Sequence, residues 1–476
     1  MKTPSRKIQK ISWICLLLAI FFAKELLWSY LTPPWQAPDE IAHYGYVESL
    51  FYEHTFPVLG QTLLSERVQA IGPVDPSKQI DYYKGSLDLN WIAQHPPLYY
   101  LVLQPLYAFL PHDDAVTCIF ILRFISMLLG CVTLWFAGKT LKILIPENEL
   151  LQKTVLVAMA FLPMFSSISA VMNNDNLVFM LASILTWLSV KNFDHHDTRG
   201  SLQMGILLGL LALTKATSLP LFLSIFILEV IKHLRAKLQG KNYPKCFLKH
   251  QFVIFGSALA IAGWWYVRNL VLYKMFLPDI GSLATHEPSL IQLFPNLPMM
   301  FPESTGIIAL PQASLWDFFI TQGFLWEYYK NIWGAFGQFF FRLFSWQYLI
   351  IAVISLASVC GYIKVAFQAF QQKNSIKNLF KKMLTWKGWT MLLPFLAVAA
   401  GVTYELFQIY RERGFLGAMQ GRYMFSALMA LMYLLIRGIE KLIPKKNLPV
   451  FLMLIMTFFI VNDFVALIYR VISEFS

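Results

Sequence analysis

A carboxylate pair and a histidine stand directly after the first long apolar run, in the stretch PPWQAPDEIAHYGY. Asp39 and Glu40 are adjacent, and His43 follows Asp39 by four residues, so a carboxylate and an imidazole share one face if the stretch is helical. A carboxylate in this position could accept a proton from a hydroxyl group. The structural alternative is an ordinary helix start, because Pro38 and the two acids suit a first turn and the helix dipole.

Further candidate residues come from five separate places in the chain, and each also has a structural explanation. Tyrosines can anchor a helix at a membrane interface, a carboxylate in a polar turn can cap the next helix, and cations at the ends of apolar segments can reach water. Taken together, however, cations suit a phosphate, and carboxylates suit a hydroxyl or a metal ion. The residues are His95 and Tyr99 in QHPPLYYL, Asp175 in NNDN, Lys215 in LTKAT, Arg268 in WWYVRN, and Gln420, Arg422 and Tyr423 in QGRY.

The composition is that of a membrane protein. Of the 476 residues, 57% are hydrophobic and only 14% are charged, and the mean hydropathy is +0.54. The net charge of +12 does not indicate a nucleic-acid partner, because the lysines and arginines cluster between apolar runs and form no basic patch interleaved with aromatic residues. We expect membrane lipids to surround most of the chain.

Eleven apolar segments are long enough to cross about 30 Å of hydrocarbon as helices. They predict an all-α, polytopic integral membrane protein whose first span remains as a signal anchor. The segment 95–111 is short and contains three prolines, so we expect it to lie in the interface or to dip in and return. The predicted spans are 11–31, 116–138, 152–171, 174–191, 201–216, 218–235, 250–271, 345–367, 388–409, 422–438 and 448–471.

The distribution of basic residues predicts the orientation of these spans. With a cytoplasmic N-terminus, 25 of the 39 lysines and arginines lie on the cytoplasmic side, as the positive-inside rule requires. Two long segments, about 32–115 and 274–344, then face the outside. All of the candidate residues fall at this outer rim, where a lipid-borne phosphate and a polar head group meet water. The chemistry that fits is sugar transfer from a lipid phosphate, with cations on the departing phosphate and Asp39 as the base.

The order of the motifs resembles the GT-C glycosyltransferases, most closely a bacterial branch related to protein O-mannosyltransferases and aminoarabinose transferases. The resemblance covers roughly residues 11–440. The motifs that carry it are, in order, Asp39-Glu40, HPPLYY, RFISMLLG (Arg123 to Gly130), NNDN, LLALTKAT, WWYVRN, WGAFG (Trp333 to Gly337) and QGRY.

The resemblance implies a transmembrane catalytic domain over 1–440, followed by a final transmembrane helix and short tail over 441–476. It implies that Asp39 is the catalytic acid, with Glu40 beside it and Asp175 as a further acid, and that the enzyme inverts the anomeric centre. The implied donor is a polyprenyl-phosphate sugar, and the implied acceptor is a glycan, a lipid or a protein. A divalent metal, Mg or Mn, at Asp39 and Asp175 is left open, as is the identity of the sugar. The implied location is a bacterial inner membrane, with the active site facing outside.

Two other functions remain open from the sequence. A flippase or transporter of lipid-linked glycans predicts ionisable groups near the middle of the membrane, whereas the candidate residues gather at one face. Lys24 and Glu25, within the first span, are the exception to this distribution. A glycan polymerase or ligase would use a pyrophosphate-linked donor and would rely on arginines and a histidine instead of an acid in the first external loop.

Overall fold

The fold is known from a computed structural model. It describes residues 12–70, 89–195, 197–238, 244–279, 283, 314–336, 341–371, 387–413, 416 and 419–472.

Long helices make up most of the described chain, as the sequence predicts. The first eight are α1 (Trp13–Leu31), α2 (Glu40–Tyr52), α3 (Glu66–Ala70), α4 (Leu98–Tyr107), α5 (Ala115–Leu144), α6 (Glu149–Ala160), α7 (Pro163–Ser169) and α8 (Asp175–Lys191). The others are α9 (Thr198–Ala212), α10 (Pro220–Leu238), α11 (Pro244–Tyr273), α12 (Phe324–Trp333), α13 (Ser345–Gln371), α14 (Trp389–Arg413), α15 (Leu428–Leu442) and α16 (Leu448–Ala466).

Short elements complete the structure. Two-residue strands β1 (Ala335–Phe336) and β2 (Phe341–Arg342) pair antiparallel, with Ala335 opposite Arg342. The 3-10 segments are Ala216–Ser218 and Gly421–Ala427, and the π-helical segments are Asp317–Thr321 and Leu467–Ile472. The fold is therefore the all-α membrane fold that the sequence predicts.

A helix is present at each of the eleven predicted spans, but the number of spans is not confirmed. In the part of the chain that the structure describes, seven helices are long and apolar enough to cross a membrane, or eight if α6 and α7 count as one bent span. The helices α8 and α9 have only 17 and 15 residues. The short α4 has 10 residues and contains Pro105, which agrees with the prediction that this segment does not cross as a full span.

The bend between α6 and α7 shapes the centre of the fold. The two helices meet at 58° across Phe161 and Leu162, and α7 begins with Pro163. Proline has no backbone N–H to donate to the preceding turn, so the regular helix ends there. After the bend, α7 ends at Ser169, and α8 begins shortly after it at Asp175.

Close packing fixes the segment that begins at Gly421. A Cβ atom at this position would lie 2.1 Å from the backbone oxygen of Asn331, at the end of α12, so only glycine fits without a shift. The side chain of Asn331 also donates to the backbone oxygen of Met419 at 2.8 Å. Arg422, the next residue after Gly421, is held in place by these contacts.

Some of the sequence predictions fall outside the described residues. They concern the basic residues that predict the orientation of the spans. Lys2, Arg6, Lys7 and Lys10 at the N-terminus and the lysines within 372–386 are not among the described residues. The division at residue 440 and the two external loops stay predictions.

Candidate active site

Asp39 stands at the start of α2 in an unusual backbone conformation. Its φ of 61° and ψ of 8° lie in the left-handed region, which aspartate and asparagine tolerate better than most other residues. The helix begins at Glu40, and the backbone N–H of His43 donates to the backbone oxygen of Asp39 at 2.9 Å. The Asp39 side chain does not cap the helix. It is available for other partners.

Two side chains from distant parts of the sequence hold the Asp39 carboxylate. Trp91 Nε1 donates to Oδ1 at 3.1 Å, and Arg422 Nη2 donates to Oδ2 at 2.7 Å. The Asp39 side chain remains 24% exposed, whereas Arg422 is almost completely buried. Asp39 is therefore fixed in orientation and still accessible.

Asp175 joins the same cluster from the first turn of α8. Lys215 Nζ donates to its Oδ1 at 2.8 Å, and Arg422 Nε lies 2.8 Å from its Oδ2. Asp175, Lys215 and Arg422 are all buried. Arg422 thus bridges Asp39 and Asp175.

This donor set does not fit a divalent metal ion. The cluster contains two carboxylates, Asp39 and Asp175, and two cations, Lys215 and Arg422, so its charges already balance. Three of the four carboxylate oxygens lie within 2.8 Å of a cationic nitrogen. The described residues include no group of three or more His, Cys, Asp or Glu side chains able to hold a metal.

Glu40 has a different environment from its neighbour Asp39. Its two oxygens accept from Arg123 Nε at 2.8 Å and Nη2 at 2.6 Å, and both side chains are fully buried. The backbone N–H groups of Trp35 and Met172 donate to Glu40 as well, at 3.2 and 3.0 Å. Glu40 therefore ties the start of α2 to α5 and to the turn before α8, and it does not face the cluster.

An aromatic group lies beside the cluster on α2, α4 and the residues before α4. The rings of His43 and His95 have centroids 6.3 Å apart, and His43 Nδ1 is 2.9 Å from the hydroxyl of Tyr100. Tyr46 stacks on Tyr100 at 3.7 Å. The hydroxyl of Tyr99 lies 3.1 Å from Ser126 Oγ, so Tyr99 packs behind this group.

The charges of the cluster set the protonation of these groups. Burial alone would raise the pKa of Asp39, but Arg422, the hydrogen bond from Trp91 and the charge of Lys215 outweigh it and lower this pKa to about 2. Burial and the nearby cations Lys215 and Arg422 lower the pKa of His95 to about 3, and burial lowers the pKa of His43 well below its usual value. Asp39 is ionised and both imidazoles are neutral at neutral pH.

Of the three remaining predicted residues, Tyr423 contacts the cluster, whereas the contacts of Arg268 lie elsewhere. The ring of Tyr423 packs 5.2 Å from Lys215 Nζ. Gln420 precedes the 3-10 segment, and its buried Oε1 has no hydrogen-bond partner among the described residues. Arg268 donates to the backbone oxygen of Pro57 at 2.7 Å and stacks on Trp265, and within the described chain it forms no ion pair with Asp39 or Asp175.

Two residues that bind the acids Asp39 and Glu40 were not identified as site residues from the sequence. Trp91 precedes His95 by four residues, and no spacing rule connects it with Asp39. Arg123 entered the sequence analysis only as part of a family motif. As a lone arginine within an apolar span it carries a signal of its own, since a charge in a membrane helix indicates a partner or a function.

One comparison with known proteins covers part of the segment in which the motifs lie. Residues 94–261 match the sequence model of the dolichyl-phosphate-mannose-protein mannosyltransferase family. The expected resemblance to membrane glycosyltransferases is thus confirmed over this segment, which contains His95, Tyr99, Asp175 and Lys215 but not Asp39. A search of curated protein sequences found no match.

Two solved structures match this chain at low sequence identity. The oligosaccharyltransferase of Archaeoglobus fulgidus, tethered to an acceptor peptide, is 13% identical, with a TM-score of 0.49 over 97% of this chain and 55% of that one. ArnT from Cupriavidus metallidurans is 14% identical, with a TM-score of 0.37 over 90% of this chain and 77% of that one. The chain spans about half the length of the archaeal protein.

Proposed function

We propose that this protein is a GT-C-type glycosyltransferase that moves a sugar from a polyprenyl-phosphate-linked donor to an acceptor hydroxyl. One observation carries the proposal. Separate parts of the chain bring two carboxylates and two cations, Asp39, Asp175, Lys215 and Arg422, into one connected cluster beside apolar helices. The family match over 94–261 supports the same class of reaction.

The proposed chemical step is a single displacement. Asp39 takes the proton of the acceptor hydroxyl, and the hydroxyl oxygen forms a bond to the anomeric carbon. The bond between this carbon and the phosphate oxygen breaks, and its electron pair stays on the phosphate. Lys215 and Arg422 stabilise the charge that develops there. Attack opposite the leaving phosphate inverts the anomeric configuration.

The ion pairs of the cluster explain how a weak base could become effective. With its pKa lowered to about 2, Asp39 is a poor proton acceptor. A donor phosphate competes with Asp39 for Arg422, and its negative charge raises the pKa of the Asp39 carboxyl. The base therefore gains strength only when the donor is bound.

Two unpaired amide oxygens next to the site are proposed to bind the sugar. Oε1 of Gln94 and Oε1 of Gln420 are buried without a hydrogen-bond partner in the described chain. Both residues are close to site residues in the chain. Gln94 directly precedes His95, and Gln420 lies two residues before Arg422. Sugar hydroxyls are donors that would satisfy both oxygens. We propose that the acceptor is a glycan, a lipid or a protein.

The two built-in cations are proposed to do the electrostatic work that Mg or Mn would do in other transferases. Lys215 and Arg422 form ion pairs with the carboxylates that a metal ion would need. The two positive and two negative charges cancel, so the cluster has no negative charge for a divalent ion to neutralise. We therefore propose that Asp39 and Asp175 orient Arg422 and Lys215 toward the phosphate. Transfer is then expected to continue in the presence of a chelator.

The proposed location is the inner membrane of a bacterium, with a cytoplasmic N-terminus and the site facing outside. The distribution of basic residues and the apolar helices support a multi-pass protein in this orientation.

The test uses the purified full chain in proteoliposomes that contain a defined sugar donor. One sample contains a polyprenyl-monophosphate sugar, the other a polyprenyl-pyrophosphate sugar, and mass spectrometry measures release of the lipid phosphate. We expect release from the monophosphate donor and its loss in Lys215→Met. Turnover of the pyrophosphate donor alone would favour a polymerase or ligase. Glycolipid and glycoprotein profiles of cells with and without the protein would then identify the sugar and the acceptor.

A second candidate function, transport of a lipid-linked glycan, is favoured by one observation. Lys24, Glu25 and Asp463 form a charged cluster inside predicted spans, as transporters often do. Alternating access would expose a cysteine at position 215 or 268 to impermeant reagents from both sides of the membrane. Labelling from the outside alone is the result expected of the transferase.

A further inference from the structure

A lysine and two carboxyl groups are buried together away from the proposed active site. Lys24 and Glu25 are neighbours on α1, and Asp463 belongs to α16. The side chains are 2%, 0% and 0% exposed, and both helices are long and apolar enough to span a membrane. Buried charges of this kind must be paired, neutralised or bound to a ligand.

The three protons of the Lys24 ammonium group are all used. They go to the backbone oxygen of Ala160 at 2.7 Å, to Ser166 Oγ at 2.5 Å and to Asp463 Oδ2 at 2.8 Å. An ammonium group has three donors and no more. Glu25 Oε1 lies 3.0 Å from Lys24 Nζ, yet neither oxygen of Glu25 has a hydrogen-bond partner among the described residues. Asp463 therefore accepts a hydrogen bond from Lys24 through one oxygen, whereas Glu25 lies only within ion-pair distance of Lys24.

The charges of this cluster do not balance when all three groups are ionised. One ammonium faces two carboxylates, which leaves one negative charge without compensation in an apolar interior. The rings of Phe21 and Phe161, each about 5 Å from Lys24 Nζ, offer the carboxylates no donor. Cys131 of α5 is a further titratable neighbour of Glu25 among the described residues, and as a thiol it has no charge to offer. A bound proton is the smallest ligand that restores neutrality.

We infer that Glu25 carries a proton at neutral pH, and that Lys24, Glu25 and Asp463 form an intramembrane proton-binding site. With Glu25 neutral, the remaining Lys24 to Asp463 pair connects α1 and α16 to the carbonyl of Ala160. That carbonyl lies at the end of α6, where the bend toward α7 begins. The site thereby holds the bend that leads to the turn carrying Asp175. This inference is independent of the proposed function.

Infrared spectroscopy of the full chain in lipid nanodiscs tests the inference, because a protonated carboxylic acid has a C=O band that a carboxylate lacks. The wild-type protein should show the band of one buried acid, which Glu25→Gln removes. Asp463→Asn should remove it too, since Glu25 then releases its proton and becomes the counter-ion of Lys24. Lys24→Met should double the band, since neither carboxyl then has a cation. The matched control is Glu149→Gln, which removes an exposed, ionised carboxylate paired with Lys153 and should leave the band unchanged.

Isotopic labelling assigns the proton to one residue. Glutamate labelled with carbon-13 at the side-chain carboxyl should shift the band in the wild-type protein. A band that does not shift would place the proton on Asp463, and the absence of any difference between wild type and Glu25→Gln would show that Glu25 is ionised. Either result overturns the inference. If Lys24→Met does not fold, the Glu25→Gln difference and the labelling still decide it.

Discussion

The adjacent acids Asp39 and Glu40 should differ sharply when each is replaced by its amide. Glu40→Gln removes the negative charge from a pair in which Glu40 and Arg123 are both fully buried, and it also disturbs the acceptors for two backbone N–H groups. Breaking a buried ion pair by neutralising one partner typically costs about 3–5 kcal/mol, because the other charge stays buried and uncompensated. We expect Glu40→Gln to lower the free energy of unfolding by an amount in this range.

Asp39→Asn should cost much less. Its side chain is partly exposed, and asparagine adopts the left-handed backbone of this position as readily as aspartate does. Arg422 also keeps its ion pair with Asp175. The assay is chemical unfolding in mixed micelles, followed by tryptophan fluorescence. An exposed control, Glu149→Gln, loses only a surface pair and should change the free energy by about 0.5 kcal/mol or less.

The result that would refute this reasoning is the opposite ranking of the two variants. If Glu40→Gln unfolds like the wild-type protein but has no transferase activity, Glu40 belongs to the chemistry and not to the scaffold. Arg123→Gln gives a second check. Arg123 also donates to the backbone oxygens of Ser29, Thr32 and Pro33, so its loss should be at least as damaging as that of Glu40.

Three further changes test the geometry around Asp39. Trp91→Phe removes a hydrogen-bond donor to the ionised carboxylate of Asp39, so the pKa of Asp39 rises. The acid limb of the pH profile of kcat/KM should move to higher pH by about one unit. An unmoved limb would contradict the assignment of Asp39 as the base. Gly421→Ala places a Cβ atom 2.1 Å from a backbone oxygen and should displace Arg422, which lowers the free energy of unfolding by about 1–3 kcal/mol and reduces activity. The control Gly256→Ala has open space around it and should change neither stability nor activity. Stability and transfer are measured for both variants, and equal behaviour of the two would argue against a close approach at Gly421. Because the pKa of Asp39 is lowered in the folded protein, Asp39 contributes about 2 kcal/mol to the free energy of unfolding above pH of about 4, and this contribution is lost as the pH falls toward about 2. When unfolding is measured at decreasing pH, Asp39→Asn should therefore lose less stability than the wild-type protein. Parallel curves for the two proteins would count against the Arg422 pair.

The sequence predicts the position of the site better than the roles within it. The predicted orientation of the spans puts Asp39, Asp175, Lys215 and Arg422 at one membrane rim, and the structure brings these four side chains together. Adjacent residues on a helix point in different directions, and the sequence cannot say which acid of a pair faces the site. Only the packing of α5 shows that Glu40 forms an ion pair with Arg123.

The intramembrane cluster illustrates a second limit. The sequence shows Lys24 and Glu25 only as neighbours within one apolar span. The actual counter-ion, Asp463, is 439 positions away from Lys24 in the chain, on a helix brought there by the packing of α16 against α6 and α7. Contacts over such separations depend on the arrangement of all the helices, which hydropathy and spacing do not determine.

The most direct test of the central claim is donor turnover by Asp39→Asn in proteoliposomes containing the polyprenyl-monophosphate sugar. The variant keeps Lys215 and Arg422 and loses the carboxylate that competes for Arg422, so it should bind polyprenyl phosphate at least as tightly as the wild-type protein does. Release of the lipid phosphate should fall by about 10²–10⁴-fold, because the general base is missing. Release at the wild-type rate from a folded, donor-binding variant would contradict the assignment of Asp39 as the base.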